Sequence, residues 1–325
     1  MSISVIALFV LGLLLIVWGA DKLVDGASAI ARRSGVSEFV IGLTIVGFGT
    51  SCPELVVSLT GALEGNADIS LGNVIGSNIF NTLLILGITA LMSPIVISKT
   101  NLRKDIPVVL AATVLLIVLG CAGRDINRID AGVFLLVFVL YMVWCFRCGP
   151  QEQEAEPNDK PMSIFTSILY ILLGLVGLVV GGRFFVDNAV IIASALGVSD
   201  KVIAITLLAG GTSLPELVTC VIAGIKKHQQ LALGNILGSN LFNILFILGC
   251  SAMVTPISFA GISGIDLGVL LGSMLLLLLF SWTGPKSGRL AGHTEETLPQ
   301  SLLGRGEGAI LVLLWLGYTV WLIAG

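Results

Sequence analysis

Apolar runs of about 20 residues recur along this chain, each long enough to cross a bilayer as a helix. Ten are expected, at about 3–22, 38–62, 70–92, 105–122, 130–147, 163–185, 200–224, 231–253, 262–282 and 307–324, the first and sixth continuing as amphipathic turns. The polar positions inside these runs are grouped rather than scattered. GTSCPEL at Gly49–Leu55 interrupts the second run, and LGNVIGSNIFN at Leu71–Asn81 occupies the third. Both return, as GTSLPEL at Gly211–Leu217 in the seventh run and LGNILGSNLFN at Leu233–Asn243 in the eighth.

These blocks belong to a longer repeat. Gly19–Ile95 aligns with Gly181–Ile257 at a constant offset of 162 residues, without a gap, and about 33 of the 77 positions are identical. Five spans separate equivalent points. Five is odd, so the second copy must lie upside down relative to the first. The loops agree: EGNAD at Glu64–Asp68 has no basic residue, whereas its counterpart at Lys226–Gln230 reads KKHQQ. The expected fold class is an all-α polytopic membrane protein with ten transmembrane helices in two inverted five-helix repeats. Residues 1–147 form the first repeat, 148–162 a cytoplasmic linker, and 163–325 the second repeat. The polar stretch GPKSGRLAGHTEE between spans 9 and 10 is expected to be a surface segment.

Composition supports a membrane solvent: 56% of residues are hydrophobic and only 11% charged, against about 25% charged in soluble domains. Basic residues set the orientation. Thirteen of the 17 Lys and Arg fall on one side of a ten-span chain and four on the other, so both termini are expected outside and the thirteen in the cytoplasm. No cleavable signal peptide is evident, since the first run lacks a basic leader. The loops are too short for an ATPase, and no phosphate-binding GxxxxGK[ST] is present. The six cysteines share no pattern. Cys145-x-x-Cys148 has no second ligand pair for zinc, His228 and His293 being the only histidines.

The chemistry lies in the repeated blocks. Glu54 and Glu216 sit near the middle of their spans, where a carboxylate costs at least about 2.5–3.5 kcal/mol. No Lys or Arg lies at comparable depth, so a mobile cation or a proton is the expected partner. Pro53 and Pro215 lack an N–H and free carbonyls one turn earlier, and Gly47, Gly49, Gly210 and Gly211 loosen the same turns. Thr50, Ser51, Thr212 and Ser213 add hydroxyls. Asn73, Ser77 and Asn81 form one polar stripe at i, i+4 and i+8, repeated as Asn235, Ser239 and Asn243. Oxygen ligands around two carboxylates suit hard cations such as Ca2+ or Na+. Asp25 and Asp187 also match across the repeat, with Lys22 and Arg183 as expected local ion-pair partners.

The doubled GTSxPEL and GNxxGSNxFN blocks resemble the alpha repeats of the calcium:cation antiporter superfamily, the sodium/calcium exchangers and their relatives, most closely the compact prokaryotic branch. The resemblance covers both halves. It implies that spans 2, 3, 7 and 8 form an ion-binding core, with spans 1 and 6 sliding across it. It also implies a ligand set of Gly47 (backbone oxygen), Thr50, Ser51, Glu54, Ser77 and Asn81, with Ala209 (backbone oxygen), Thr212, Ser213, Glu216, Ser239 and Asn243 from the second half. Many sodium-coupled members carry Asp at one of the positions of Asn81 and Asn243. Here both are Asn, which leaves sodium, protons or either as the driving ion.

The expected function is secondary-active antiport of Ca2+ against Na+ or H+ in the bacterial cytoplasmic (inner) membrane. Inorganic cations and the lipid bilayer are its partners. No cofactor, nucleic acid or obligate protein partner is expected, and no enzymatic activity. A sodium-coupled symporter of a small solute is the alternative. A membrane-embedded enzyme ranks below it, since the spans carry no His ligand or nucleophile–base pair, and a passive channel is the remaining class.

Overall fold

The first apolar run does not end where its hydrophobicity does. In the computed structural model, which describes residues 2–66, 68–148, 162–198, 200–203, 209–259, 261–284 and 301–324, it continues as a single helix, α1 (Ile3–Ser34). Arg32 and Arg33 lie in its last turn, where cations suit the helix dipole, and Gly35 ends it at φ 68°. The second run breaks. Helix α2 (Glu38–Thr50) meets α3 (Cys52–Leu63) at a 48° bend. The spans α4 (Ile69–Met92), α5 (Asn101–Gly123), α6 (Arg128–Arg147) and α7 (Ile164–Ala195) follow. Short turns Asp200–Ile203 and Ala209–Gly211 then lead to α8 (Leu214–Ile225). The chain closes with α9 (Gln229–Val254), α10 (Gly264–Thr283) and α11 (Arg305–Ala324). Residues 149–161 of the expected 148–162 linker lie outside the described residues, as does most of the expected surface segment.

The all-α class holds, with four strands of two or three residues added at the helix ends among the described residues: β1 (Ile95–Ile97), β2 (Asp125–Ile126), β3 (Ile257–Ser258) and β4 (Ser301–Leu303). β1 pairs antiparallel with β4 through Val96 and Leu302, and β2 pairs with β3 through Ile126 and Ile257. Segments leaving the bilayer have backbone groups no longer satisfied within a helix, and pairing satisfies them. By length and composition eight of the described helices can cross a membrane, and the bent pair α2–α3 makes a ninth span.

Burial sorts the helices into a centre and a rim. Over its most apolar window α9 is 94% buried and α4 78%, whereas α1 is 22% and α11 11% buried. Two glycine-lined helices, α1 and α7, pack against each other at backbone distance: a Cβ at Gly19 would stand 2.7 Å from the Gly174 carbonyl, and one at Gly174 the same distance from that of Gly19. Their outer faces, including Leu14, Val17, Leu172 and Val176, remain exposed for lipid. The centre thus consists of the broken span α2–α3, α4, α8 and α9. These carry all of the repeated polar blocks that fall among the described residues.

Candidate cation site

Each broken span is broken in the same way. Ser51 leaves helical geometry at φ −84° and ψ 8°, and Ser213 does so at −89° and 8°. Pro53 and Pro215 then fall in the first turn of a new helix, where a missing N–H leaves no bond unmade. Glu54 and Glu216 follow in that same first turn. Their carboxylates therefore start at helix N-termini, the favourable end for negative charge.

The two breaks face one another. The Ser51 hydroxyl donates to Glu216 Oε1 at 2.9 Å, and the Ser213 hydroxyl donates to Glu54 Oε1 at 2.9 Å. Each repeat thus holds the carboxylate of the other. A reciprocal contact of this kind, i to j and j to i, is what a two-fold relation between the halves produces. The asparagines repeat it: Asn81 Nδ2 donates to Asn240 Oδ1 at 3.1 Å, and Asn243 Nδ2 to Asn78 Oδ1 at 3.0 Å. Ser239 adds a hydroxyl 3.4 Å from Glu216 Oε1 and 3.4 Å from the Gly47 carbonyl. Thr50 Oγ1 lies 3.1 Å from both the Val46 carbonyl and Asn235 Oδ1.

Glu54 and Glu216 are fully buried. Among the described residues, neither has an ion-pair partner. Nine buried side-chain atoms there lack a hydrogen-bond partner, and six of them are Glu54 Oε2, Glu216 Oε2, Ser77 Oγ, Asn81 Oδ1, Asn243 Oδ1 and Thr212 Oγ1. All six are oxygens and all belong to the expected ligand set. Buried polar groups are satisfied as a rule, so this concentration marks a place built for something to enter. Two carboxylates among neutral oxygens suit a hard cation. No cluster of three or more His, Cys, Asp or Glu exists among the described residues. Ala209 begins the turn Ala209–Gly211; its side chain is outside the described set.

Several expectations are refined. Asn73 was grouped with Ser77 and Asn81, but its amide is engaged, donating to the Ser58 hydroxyl at 3.1 Å and the Glu54 carbonyl at 3.3 Å. It ties α4 to α3. Asn235 likewise donates to Cys220 Sγ at 3.2 Å. Asp25 was expected to pair locally with Lys22, which stands 4.0 Å away. Its closer partner is Lys226 of the other repeat, at 2.6 Å. Asp21 and Asp25 of α1 meet the end of α8 there, a tertiary contact that local spacing does not reveal. No ion pair joins Arg183 to Asp187 among the described residues. Asn78 and Asn240 were not singled out. Their signal was their place in the duplicated GSNxFN block. A second missed feature is the wide π-helical turn at Phe80–Ile85 and again at Phe242–Ile247, which includes Asn81 and Asn243. Such turns recur at functional sites.

Eight spanning helices, a bent ninth span and a buried two-carboxylate centre shared between two repeats define a polytopic membrane protein of the cation-transport type. The chain belongs to the sodium/calcium exchanger protein family, which it matches over residues 4–147 and 166–324. It is 38% identical to the putative antiporter CaxA of Alkalimonas amylolytica, covering 97% of each chain. It is 35% identical to the inner membrane protein YrbG of Escherichia coli, again covering 97% of each. The sodium/calcium exchanger MaX1 of Methanosarcina acetivorans is 32% identical, with 96% of this chain and 97% of that one covered. Solved structures of the sodium-calcium exchanger NCX_Mj superpose with a TM-score of 0.83 at 35% identity, covering 98% of this chain and 99% of that one.

Proposed function

We propose that this protein is a secondary-active antiporter of the cytoplasmic membrane that moves Ca2+ out of the cell against entering Na+ or H+. The observation that carries this reading is the pair Glu54 and Glu216. Each has one oxygen held by a serine of the other repeat and one without a partner. The ligands would be Glu54, Glu216, Asn81, Asn243, Ser77, Ser239, Thr50, Thr212, Ser51 and Ser213, with the backbone oxygens of Gly47 and Ala209. The centre takes no resident cofactor.

Exchange follows from exclusivity. One Ca2+ balances both carboxylates. Na+ or protons on the same oxygens displace it, so the two cargoes alternate. Access alternates through the inverted halves. At one end α2 is pressed onto α9: a Cβ on Gly234 would collide with the Phe39 carbonyl, and one on Gly238 with that of Leu43. With the basic loops in the cytoplasm and both termini outside, this closed end is cytoplasmic.

A sodium-coupled symporter would need a subsite for an organic solute, whereas the unpartnered groups of the centre are oxygens only. The test is flux in proteoliposomes: Ca2+ movement with Na+, K+ and proton gradients imposed in turn. Movement driven by Na+ or H+ supports the reading and identifies the coupling ion. Absence of any gradient-driven Ca2+ movement overturns it.

A further inference from the structure

A carboxamide in a chain of hydrogen bonds is not free to flip. Asn78 Nδ2 donates to the Asn240 carbonyl at 3.3 Å. A carbonyl only accepts, so the Asn78 amide oxygen must face the other way, where it takes up Asn243 Nδ2 at 3.0 Å. That orients Asn243 in turn and leaves its Oδ1 as the unpartnered end. In the other half, Asn240 Nδ2 donates to the Thr82 hydroxyl at 2.9 Å, which itself donates to Met274 Sδ at 3.7 Å. Asn240 Oδ1 accepts Asn81 Nδ2, and Asn81 Oδ1 is left unpartnered.

We propose that Asn78 and Asn240 are positioning residues, each aiming the amide oxygen of the opposite repeat's asparagine at the transported cation. This rests on the antiport reading. Asn78→Leu should raise the KM for Ca2+ by about 10–100-fold, as loss of an outer partner of a metal ligand does, with the maximal rate kept. In Asn243→Ala the same change should add nothing, since there is no ligand left to aim. Asn240→Leu with Asn81→Ala is the second cycle. Additive KM effects overturn the proposal. So does failure of both leucine variants to fold, which assigns the network to structure. Absence of Ca2+ exchange in the unaltered protein sinks the antiport reading instead.

A separate observation lies at the rim. Lys226, at the end of α8, is held 2.5 Å from Asp21 and 2.6 Å from Asp25 of α1. Subtracting or adding the 162-residue offset gives their counterparts in the other half. Lys226 becomes Glu64, Asp21 becomes Arg183, and Asp25 becomes Asp187. Both sets hold two carboxylates and one cross-helix cation, with Lys22 as an added local partner of Asp21 at 3.1 Å; the cross-helix cation has changed helix. Glu64, Arg183 and Asp187 are exposed, and among the described residues α3 is not packed on α7 as α8 is on α1.

We infer that the two sets are alternating latches: Lys226 with Asp21 and Asp25 closes this state, and Glu64 with Arg183 closes the opposite one. This too rests on the antiport reading. Arg183→Glu and Glu64→Arg should each slow Ca2+ exchange by about 5–10-fold, and the double variant should restore it. All three positions are exposed, so folding is spared. Singles without effect, or a double no faster than the slower single, overturn the latch while exchange by the unaltered protein upholds antiport. Loss of exchange in the unaltered protein removes antiport itself.

Discussion

Ser51 of the first repeat donates its hydroxyl to Glu216 of the second at 2.9 Å, and Ser213 returns the same bond to Glu54. Neither carboxylate is held by its own half alone. A cation at this centre therefore bonds the two halves together, and its loss leaves two buried, unpartnered oxygens.

Glu54→Gln and Glu216→Gln should each abolish Ca2+ exchange in proteoliposomes while the protein still accumulates. Removing one charge from a buried pair relieves repulsion, so ion-free melting temperatures should equal or exceed that of the parent. Retained exchange at the parental rate in either variant would remove that residue from the site.

Calcium should stabilise the purified protein by linkage. At 100 times the dissociation constant the gain is about 2.7 kcal/mol, read as a rise in melting temperature that a chelator reverses. The same titration on Glu54→Gln should give little or no shift. An equal shift in both would place Ca2+ elsewhere.

Asn243→Asp adds a third carboxylate to a centre that has two. Affinity for Ca2+ follows ligand charge, so its KM should fall and Na+ should compete better. Unchanged competition in flux assays would show that the amide position does not set ion preference.

One glycine offers a test of the closed end. Gly238→Ala drives a methyl group into the Leu43 carbonyl and should cost about 1–3 kcal/mol in thermal unfolding. An unchanged melting temperature would show that α2 and α9 do not meet at backbone distance there.

Much of this was readable in the chain. Buried glutamates without basic partners, a proline beside each, and the duplicated Asn and Ser positions all marked the centre, because a membrane tolerates such residues only for a reason. The residues that orient them were less legible. Asn78 is identical in type and spacing to its neighbours, and only the direction of its hydrogen bonds separates a positioning amide from a ligand. The local Lys22–Asp25 pair is legible at three residues' spacing, but the closer partner Lys226, 201 residues away, is not.

By itself the sequence determined the membrane-spanning helical class, the repeat and the chemistry it encloses. Those follow from hydrophobic length and the cost of burying charge, both local or additive properties of a chain. Only the tertiary structure decided which oxygens are satisfied and which are left over, that each half holds the other's carboxylate, and that Lys226 reaches Asp21 and Asp25. Those depend on how two similar halves meet, and a sequence in which both copies look alike carries no record of where their symmetry is broken.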